Sequence, residues 1–242
     1  MKKELLDLLY PPRCVLCDRV LERTDRGKGI CPACAPSLPW IGKPYCLKCG
    51  KPMADERKEY CASCMRREHL YIQGRSVFRY EKQLRASVLR MKFHNRREYL
   101  DFFASAMYAY SREFLDKVQP RCVLTVPMHP AKVRERGFDQ CLLLGEKLCS
   151  RSGLVLASDA IRRSRYTKPQ KGLDPAQRRR NLEDAFTPGR TELLREPVLL
   201  LDDIYTTGVT VDTICSVLHK MNITQIYVLT LCMSAGGEQI GK

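Results

Sequence analysis

Beyond residue 70, short apolar runs alternate along the chain with stretches in which apolar residues recur at helical spacing. Such runs are typical of strands buried on both faces of a sheet. The clear runs cover residues 122–126, 198–204 and 225–233, and a weaker one covers 154–161. Helical spacing extends over 83–118, with a break at His94 that predicts two helices, and over 137–149. The alternation predicts an α/β domain with a mostly parallel sheet and helices on both faces.

The first 68 residues differ, because cysteines dominate their pattern. Eight of the chain's 13 cysteines form four Cys-x-x-Cys pairs. The pairs are Cys14 and Cys17, Cys31 and Cys34, Cys46 and Cys49, and Cys61 and Cys64. Glu4 and Asp7 interrupt the leucines of the first ten residues, unlike a secretory signal, and no apolar stretch reaches the length of a membrane span. We therefore expect a cytoplasmic protein without membrane insertion, whose reduced thiols bind metal.

The spacing of these pairs is typical of zinc ribbons, in which four thiolates hold one tetrahedral Zn²⁺. The sequence thus predicts two structural zinc ions. Sequential pairing, with the cysteines of 14–34 on one ion and those of 46–64 on the other, closes shorter loops at lower entropic cost. A cross-braced arrangement stays open. We expect a double zinc ribbon over residues 1–68 and the α/β domain over 69–242.

The formal net charge is +15, and the basic excess is concentrated between residues 71 and 190. Such a charge fits a polyanionic partner such as nucleic acid, although an anionic small ligand also needs cations. The segment 162–180 is rich in basic residues and contains two prolines and a glycine, which indicates an irregular loop. It is either a solvated charged loop or a flexible loop that closes over an anion and excludes water.

The run 198–210 reads Val-Leu-Leu-Leu-Asp-Asp-Ile-Tyr-Thr-Thr-Gly-Val-Thr and joins a predicted strand to a predicted helix. Its last residues therefore lie at a helix N-terminus, where backbone N–H groups bind phosphate, and Gly208 lets a phosphate approach the main chain. Asp202 and Asp203 can accept hydrogen bonds from two neighbouring ribose hydroxyls and help hold Mg²⁺. The turn at 127–130 also follows a strand, so we expect it to face the same crevice.

These thirteen residues resemble the 5-phosphoribosyl-1-pyrophosphate (PRPP) motif of the type I phosphoribosyltransferases. Other stretches extend the resemblance over almost the whole chain: the N-terminal leucines before Pro11-Pro12-Arg13-Cys14, Lys92-Phe93, Val126-Pro127 through Arg136-Gly137-Phe138-Asp139-Gln140, and Thr167-Lys168-Pro169-Gln170 followed by Arg178 and Asn181. Together they are similar to the ComF family of competence-associated proteins. The resemblance implies a double zinc ribbon fused to a type I phosphoribosyltransferase-like domain. Asp139 departs from the family pattern, which has Asn there.

The resemblance also implies how Mg²⁺-PRPP binds. Its ribose is expected on Asp202 and Asp203, and its 5-phosphate on Thr206, Thr207, Gly208, Val209 and Thr210. Its pyrophosphate is expected near Pro127, Met128 and His129, with Lys168 or Arg178 closing over it. In an active enzyme, a base or amine displaces pyrophosphate at C1 through a cationic transition state that the two carboxylates stabilise. In a binding module, PRPP is a ligand or regulator; the sequence leaves turnover and the acceptor open.

A role in the uptake and handling of single-stranded DNA in natural transformation is implied too, with a competence helicase and DNA-processing proteins as partners. The arginines expected to contact DNA phosphates are Arg134, Arg136, Arg178, Arg179 and Arg180. Phe138 and Tyr166 lie near basic residues and could stack on bases. For Phe138, core packing is the competing interpretation, because it lies on an apolar helix face. We expect the four histidines to bind no metal, since eight cysteines satisfy two zinc ions.

Overall fold

A computed structural model describes residues 10–165 and 185–234. Several residues predicted to bind ligand or nucleic acid lie outside the described residues. They are Tyr166, Lys168, Arg178, Arg179 and Arg180. In the two described ranges, no helix combines the length and the apolar character needed to cross a bilayer.

Five parallel strands form the central sheet. They are β1 (Gln73–Arg79), β2 (Cys122–Thr125), β3 (Val155–Leu156), β6 (Val198–Tyr205) and β7 (Ile226–Met233), in the order β1-β7-β6-β2-β3. A separate antiparallel pair consists of β4 (Ile161–Arg163) and β5 (Phe186–Pro188). The predicted α/β architecture is thereby confirmed. The weak run at 154–161 divides between β3 and β4, because a turn in which the Ala160 N–H donates to the Ala157 carbonyl redirects the chain.

The helices of the described residues are α1 (Ala62–Arg66), α2 (Lys82–Phe93), α3 (Tyr99–Val118), α4 (Pro130–Arg136), α5 (Gln140–Ser152) and α6 (Val209–Lys220). The two helices predicted on either side of His94 are confirmed as α2 and α3. The helix predicted over 137–149 begins only at Gln140. Gly137, with φ of 82°, ends α4, and the Asp139 carboxylate caps α5, so the chain forms two helices there.

Alternate residues of the buried strands enter two hydrophobic cores, one on each face of the sheet. On the first face, Leu199 and Leu201 of β6 pack with residues of α2, α3 and α5. On the second face, Val198 and Leu200 pack with residues of α6, β4 and β5. All four side chains are fully buried. The continuous apolar run of β6 therefore reflects burial on both faces.

The two cysteine-rich segments join opposite cores. The first ribbon, residues 14–34, contributes Leu16 to the core formed with α2 and α3. The second ribbon, residues 46–64, contributes Cys46 to the core formed with α6. The same sheet therefore carries one ribbon on each face.

Between the ribbons, the chain follows the outer edge of β1. The Ile41 N–H donates to the Val77 carbonyl at 3.0 Å, and Trp40 forms an antiparallel bridge with Phe78. An exposed strand edge is a template for unwanted pairing, and this segment covers it. The division near residue 68 stays a prediction, because the ribbons share hydrophobic cores with the α/β region.

Candidate functional site

The eight ribbon cysteines form two clusters of four, and the Sγ atoms within each cluster lie within 4.8 Å of one another. The clusters are Cys14, Cys17, Cys31 and Cys34, and Cys46, Cys49, Cys61 and Cys64, which is the sequential arrangement. Zn–S bonds of about 2.3 Å in a tetrahedron separate the sulfurs by about 3.8 Å. The Sγ atoms of Cys17 and Cys31 are 3.9 Å apart, and those of Cys49 and Cys61 are 3.8 Å apart. Both clusters fit structural zinc sites.

A pocket opens where β2 ends beside β6. The β2 strand pairs with β6 only as far as Thr125 opposite Leu201, whereas β7 continues along β6 to Tyr205. Asp202 and Asp203, which the sequence suggested would leave the sheet, are therefore still part of β6. Because their neighbour β2 has ended, they line the space beyond it.

Seven of the predicted ligand-site and nucleic-acid-site residues meet in this pocket. Those that line it are Pro127, Met128, Arg136, Asp202, Asp203, Thr206 and Thr210. The two strand ends thus face one crevice, as the sequence predicted. His129 instead caps α4, where its Nδ1 accepts a hydrogen bond from the Ala131 N–H at 3.1 Å. Arg134 lies on the exposed surface.

Both carboxylates are buried and already hydrogen bonded. Asp203 forms an ion pair with Lys92 of α2, with 2.5 Å between Nζ and Oδ2, and its Oδ2 also accepts a hydrogen bond from Gln140 at 2.9 Å. Asp202 accepts hydrogen bonds from the Asp203 N–H at 2.8 Å and from the Cys141 thiol at 3.6 Å. The sequence indicated no site role for Lys92, whose only signal was its place in the Lys92-Phe93 pair.

The two carboxyl groups titrate in opposite directions. Burial, followed by the charge of Asp203, raises the pKa of Asp202 to about 7. Burial acts in the same way on Asp203, but the Lys92 ammonium and the Gln140 amide outweigh it and lower the Asp203 pKa below its usual value. The pocket therefore holds one firmly ionised carboxylate and one that takes up a proton near neutral pH. A ligand that donates hydrogen bonds or brings a cation would favour the ionised form of Asp202.

Three further cations line the pocket beside these carboxylates: Lys132 and Arg136 of α4, and Arg163 of β4. Burial lowers the pKa of the Lys132 ammonium, and the neighbouring charges of Arg163 and Arg136 lower it further. Like charges that repel one another in a partly buried space favour an anionic ligand that relieves the repulsion. Lys132 was missed from the sequence, and Arg163 was covered only as a member of the basic segment 162–180, because α4 and β4 are far apart in the chain.

Asp139 has an orienting role that the sequence did not reveal. Its Oδ1 accepts hydrogen bonds from the N–H groups of Cys141 and Leu142, at 2.9 and 3.0 Å. Its Oδ2 accepts one from the Met128 N–H at 2.9 Å. One carboxylate therefore ties the turn after β2 to the start of α5, which carries Gln140 and Cys141 into the pocket. The residue that departs from the family pattern still performs a capping function.

The predicted phosphate loop, residues 206–210, joins β6 to α6. Thr206 and Thr210 line the pocket, and Gly208 stands at the N-cap position of α6 with φ of 78°. A Cβ atom on Gly208 would come within 2.2 Å of the Tyr205 hydroxyl and 3.1 Å of His69 Cε1. The glycine is thus required by packing beneath the loop; the phosphate approach predicted for it stays a prediction.

The aromatic residues near the basic cluster differ in exposure. Phe138 is only 7% exposed and belongs to the hydrophobic core, which favours its packing interpretation. Phe93, at the end of α2, is 63% exposed, and the Arg136 guanidinium lies over its ring at 4.9 Å. Phe93 also lines a groove with Lys132 and Arg136, two residues of the carboxylate pocket. The stacking role suggested for Phe138 stays a prediction, and the exposure of Phe93, which depends on where α2 ends, was not foreseen from the sequence.

Comparison with known proteins extends these findings. The double zinc ribbon domain family matches residues 5–65. The DNA utilization protein YhgH of Salmonella typhimurium is 30% identical over 230 residues, covering 93% of this chain and 98% of that protein. Competence protein F of Haemophilus influenzae is 27% identical over 221 residues, covering 89% and 94% of the two chains. Competence protein ComFC of Bacillus subtilis is 27% identical over 215 residues, covering 81% and 84%.

Proposed function

This chain belongs to the ComF family, and from that premise we propose that it binds PRPP in the pocket between β2 and β6 as part of a competence-related role. The relatives are named for competence and for DNA utilization. The observation that carries the PRPP assignment is the content of one pocket. It combines two buried carboxylates, three crowded cations and two threonines at the start of a helix.

Each part of PRPP has a chemical counterpart in this pocket. The 2- and 3-hydroxyls of the ribose donate hydrogen bonds to Asp202 and Asp203, and this contact offsets the burial of the Asp202 charge. The 5-phosphate binds at residues 206–210, where the α6 N-terminus offers backbone N–H groups. The pyrophosphate lies toward the cations of α4 and β4 and relieves their repulsion. Asp202 and Asp203 would help hold the Mg²⁺ that accompanies it.

The test is calorimetric titration of the zinc-loaded protein with PRPP and Mg²⁺. We expect the double variant Asp202→Asn/Asp203→Asn to lose at least about tenfold in affinity, since neutral amides hold neither the hydroxyls nor the cation as well. Asp101→Asn is the matched control, because this exposed carboxylate pairs with Lys147 on the surface. Unchanged affinity in the double variant would remove the ribose assignment. Release of pyrophosphate in the presence of a base or amine would extend binding to transferase activity.

A second candidate function, binding of single-stranded DNA, is favoured by the groove beside the pocket. Phe93 offers an exposed ring, and Arg136, Lys132 and Arg97 bring positive charge to its surroundings; the Arg97 guanidinium lies over Phe138 at 4.7 Å. An exposed ring among cations suits a base that stacks while its phosphates bind the basic side chains. This surface replaces the stacking role that the sequence suggested for Phe138.

DNA binding is tested by fluorescence titration of a single-stranded oligonucleotide at several salt concentrations. We expect Phe93→Ala to weaken binding by about tenfold, whereas Tyr10→Ala, which removes another exposed ring, leaves it unchanged. Affinity should fall steeply with added salt, and loss of Arg178, Arg179 and Arg180 should reduce that dependence. Salt-insensitive binding would exclude a mode dominated by phosphate contacts.

A further inference from the structure

The chain segment that leaves the second ribbon contacts the helix that follows the phosphate loop. Arg67 forms an ion pair with Asp212 in the first turn of α6, with 2.7 Å between Nη2 and Oδ2. His69 Nδ1 donates to the same carboxylate at 3.0 Å, and the Leu70 N–H donates to its Oδ1 at 3.4 Å. His69 and Asp212 are buried. A ribbon-derived segment therefore satisfies a buried carboxylate at the start of α6.

The same segment also contacts the loop itself. Arg67 Nη1 donates to the Thr207 carbonyl at 3.4 Å, so one guanidinium bridges the loop backbone and the first turn of α6. The ring of His69 lies against the place where a Gly208 side chain would stand. The segment thus forms the floor of residues 206–208.

The floor is extended by two buried tyrosines. The Tyr71 and Tyr205 hydroxyls are hydrogen bonded at 2.8 Å, and the His69 and Tyr71 rings stack with 5.2 Å between their centroids. The loop at Gly208 rests on the Tyr205 ring. Movement of the segment 67–71 would therefore remove the support on which the loop rests.

The charge of Asp212 gives this contact a consequence for ligand binding. A carboxylate in the first turn of a helix interacts favourably with the helix dipole, but it repels an anion bound at the same N-terminus. Arg67 lies beside Asp212 and offsets its charge, so the α6 N-terminus can receive a phosphate. Without Arg67, the same carboxylate would oppose the ligand.

The second zinc cluster fixes the segment that carries these residues. The α1 helix, Ala62–Arg66, begins directly after Cys61 and contains Cys64, and Arg67 is its C-cap residue, with its N–H donating to the Ser63 carbonyl. Two of the four thiols that fit a zinc ion therefore hold α1, and α1 sets the position of the Arg67 backbone.

We propose that the second zinc ribbon holds the phosphate loop in place. Arg67 and His69 are positioning residues for 206–210, and zinc on Cys46, Cys49, Cys61 and Cys64 fixes the position of these two residues. The assignment of phosphate to the loop rests on the proposed function. The control of the loop by the ribbon is a separate property of this chain's own residues.

The experiment compares Arg67→Met with Arg96→Met in the full zinc-loaded chain. Arg96 pairs with Asp18 of the first ribbon at 3.1 Å, so it is a matched ion pair between the other ribbon and the α/β region. Hydrogen exchange of the amides over 205–213 reports on the loop without any ligand. We expect Arg67→Met to speed this exchange by about tenfold and to weaken PRPP binding by about tenfold, and Arg96→Met to change neither. Arg67→Lys, which keeps the charge, should restore part of the affinity.

Two further arms keep the outcomes distinct. Cys64→Ser should lose one zinc per chain and speed exchange over 205–213, whereas Cys17→Ser should lose one zinc and leave that exchange unchanged. Unchanged exchange over 205–213 in both Arg67→Met and Cys64→Ser would overturn the proposal, as would an equal effect of Arg96→Met. If the wild-type protein binds no PRPP, the proposed function fails, and the exchange data still decide whether the ribbon holds the loop.

Discussion

The two ribbons have the same ligand set and different neighbours. The polar contacts of the first ribbon join it to α2, α3 and the turn between them: Arg90 donates to the Leu16 carbonyl at 3.0 Å, Tyr99 donates to Asp18 at 2.5 Å, and Arg96 pairs with Asp18 at 3.1 Å. The second ribbon leads through Arg67 to the loop of the candidate site. The same set of four cysteines therefore has two structural roles. The first cluster holds the helices on one face of the sheet, and the second supports the loop 206–210. The neighbours of a zinc ribbon, and not its ligands, decide whether it influences a site.

Removal of a zinc ligand gives the largest expected effect. Cys14→Ser and Cys46→Ser, both at fully buried positions, should each lose one zinc per chain and more than about 3 kcal/mol of unfolding free energy. Only Cys46→Ser should also weaken PRPP binding, because only the second ribbon supports the loop. Zinc content by atomic emission, chemical denaturation and calorimetry measure the three quantities. Retention of two zinc ions in either variant would contradict the pairing.

Glycine substitutions test the support of the loop next. Gly208 and Gly153 both have positive φ, 78° and 75°, but the Cβ of an alanine at 153 meets no atom within 4 Å. Gly153→Ala should cost about 1 kcal/mol of unfolding free energy from backbone strain alone. Gly208→Ala should cost about 3 kcal/mol, because it also collides with Tyr205. Equal costs in urea denaturation would mean that Tyr205 moves away freely and gives the loop no fixed floor.

The pH dependence of PRPP binding tests the role of the carboxylates independently of the role of the ribbons. Ionised Asp202 accepts hydrogen bonds from the ribose hydroxyls, so affinity for PRPP should fall as pH drops through about 7. Between pH 8 and 6, the wild-type protein should lose up to about tenfold more affinity than Asp202→Asn loses over the same range. Calorimetry at several pH values measures this. Arg67→Met and Arg96→Met should keep the same slope. A slope that persists in Asp202→Asn would assign the titration to PRPP itself.

The raised pKa of Asp202 also makes the free energy of unfolding depend on pH. Its contribution to the unfolding free energy is fully present below the unfolded value of about 3.9 and is lost as pH rises through about 7. The contribution of Asp18, in the first ribbon, to the free energy of unfolding changes with pH in the opposite direction. Burial acts to raise its pKa, but Tyr99 and Arg96 lower it, so its contribution is present above about 3.9 and is lost in acid.

Hydroxyl deletions give the smallest expected effects. Tyr99→Phe removes the hydrogen bond to Asp18 in the first ribbon, and Tyr71→Phe removes the one to Tyr205 beneath the loop. Each should cost about 1 kcal/mol of unfolding free energy. PRPP affinity should fall by about threefold in Tyr71→Phe and stay unchanged in Tyr99→Phe. Weaker PRPP binding in Tyr99→Phe would show that the first ribbon also influences the site, and the two ribbons would then not differ in this respect.

The amino-acid sequence by itself determined the features that depend on local spacing. The Cys-x-x-Cys pairs bring two thiols to one turn, so they predicted the two clusters. The apolar run at 198–201 requires burial on both faces, and it predicted β6, although the strand continues past Asp202 and Asp203 to Tyr205. Helical periodicity likewise predicted α2 and α3, although the boundary at Gly137 was misjudged because a cap depends on one residue's conformation.

Only the tertiary structure decided which distant residues meet. Lys92 reaches Asp203 from α2, and Arg163 joins the pocket from β4, because α2 and the β4–β5 pair pack against opposite faces of the sheet beside β6. Arg67 meets Asp212 across 145 residues of sequence. Periodicity records whether a position is buried, but not which partner it contacts. Partner choice follows from how elements pack, so the contact between the second ribbon and the loop could not be foreseen from spacing.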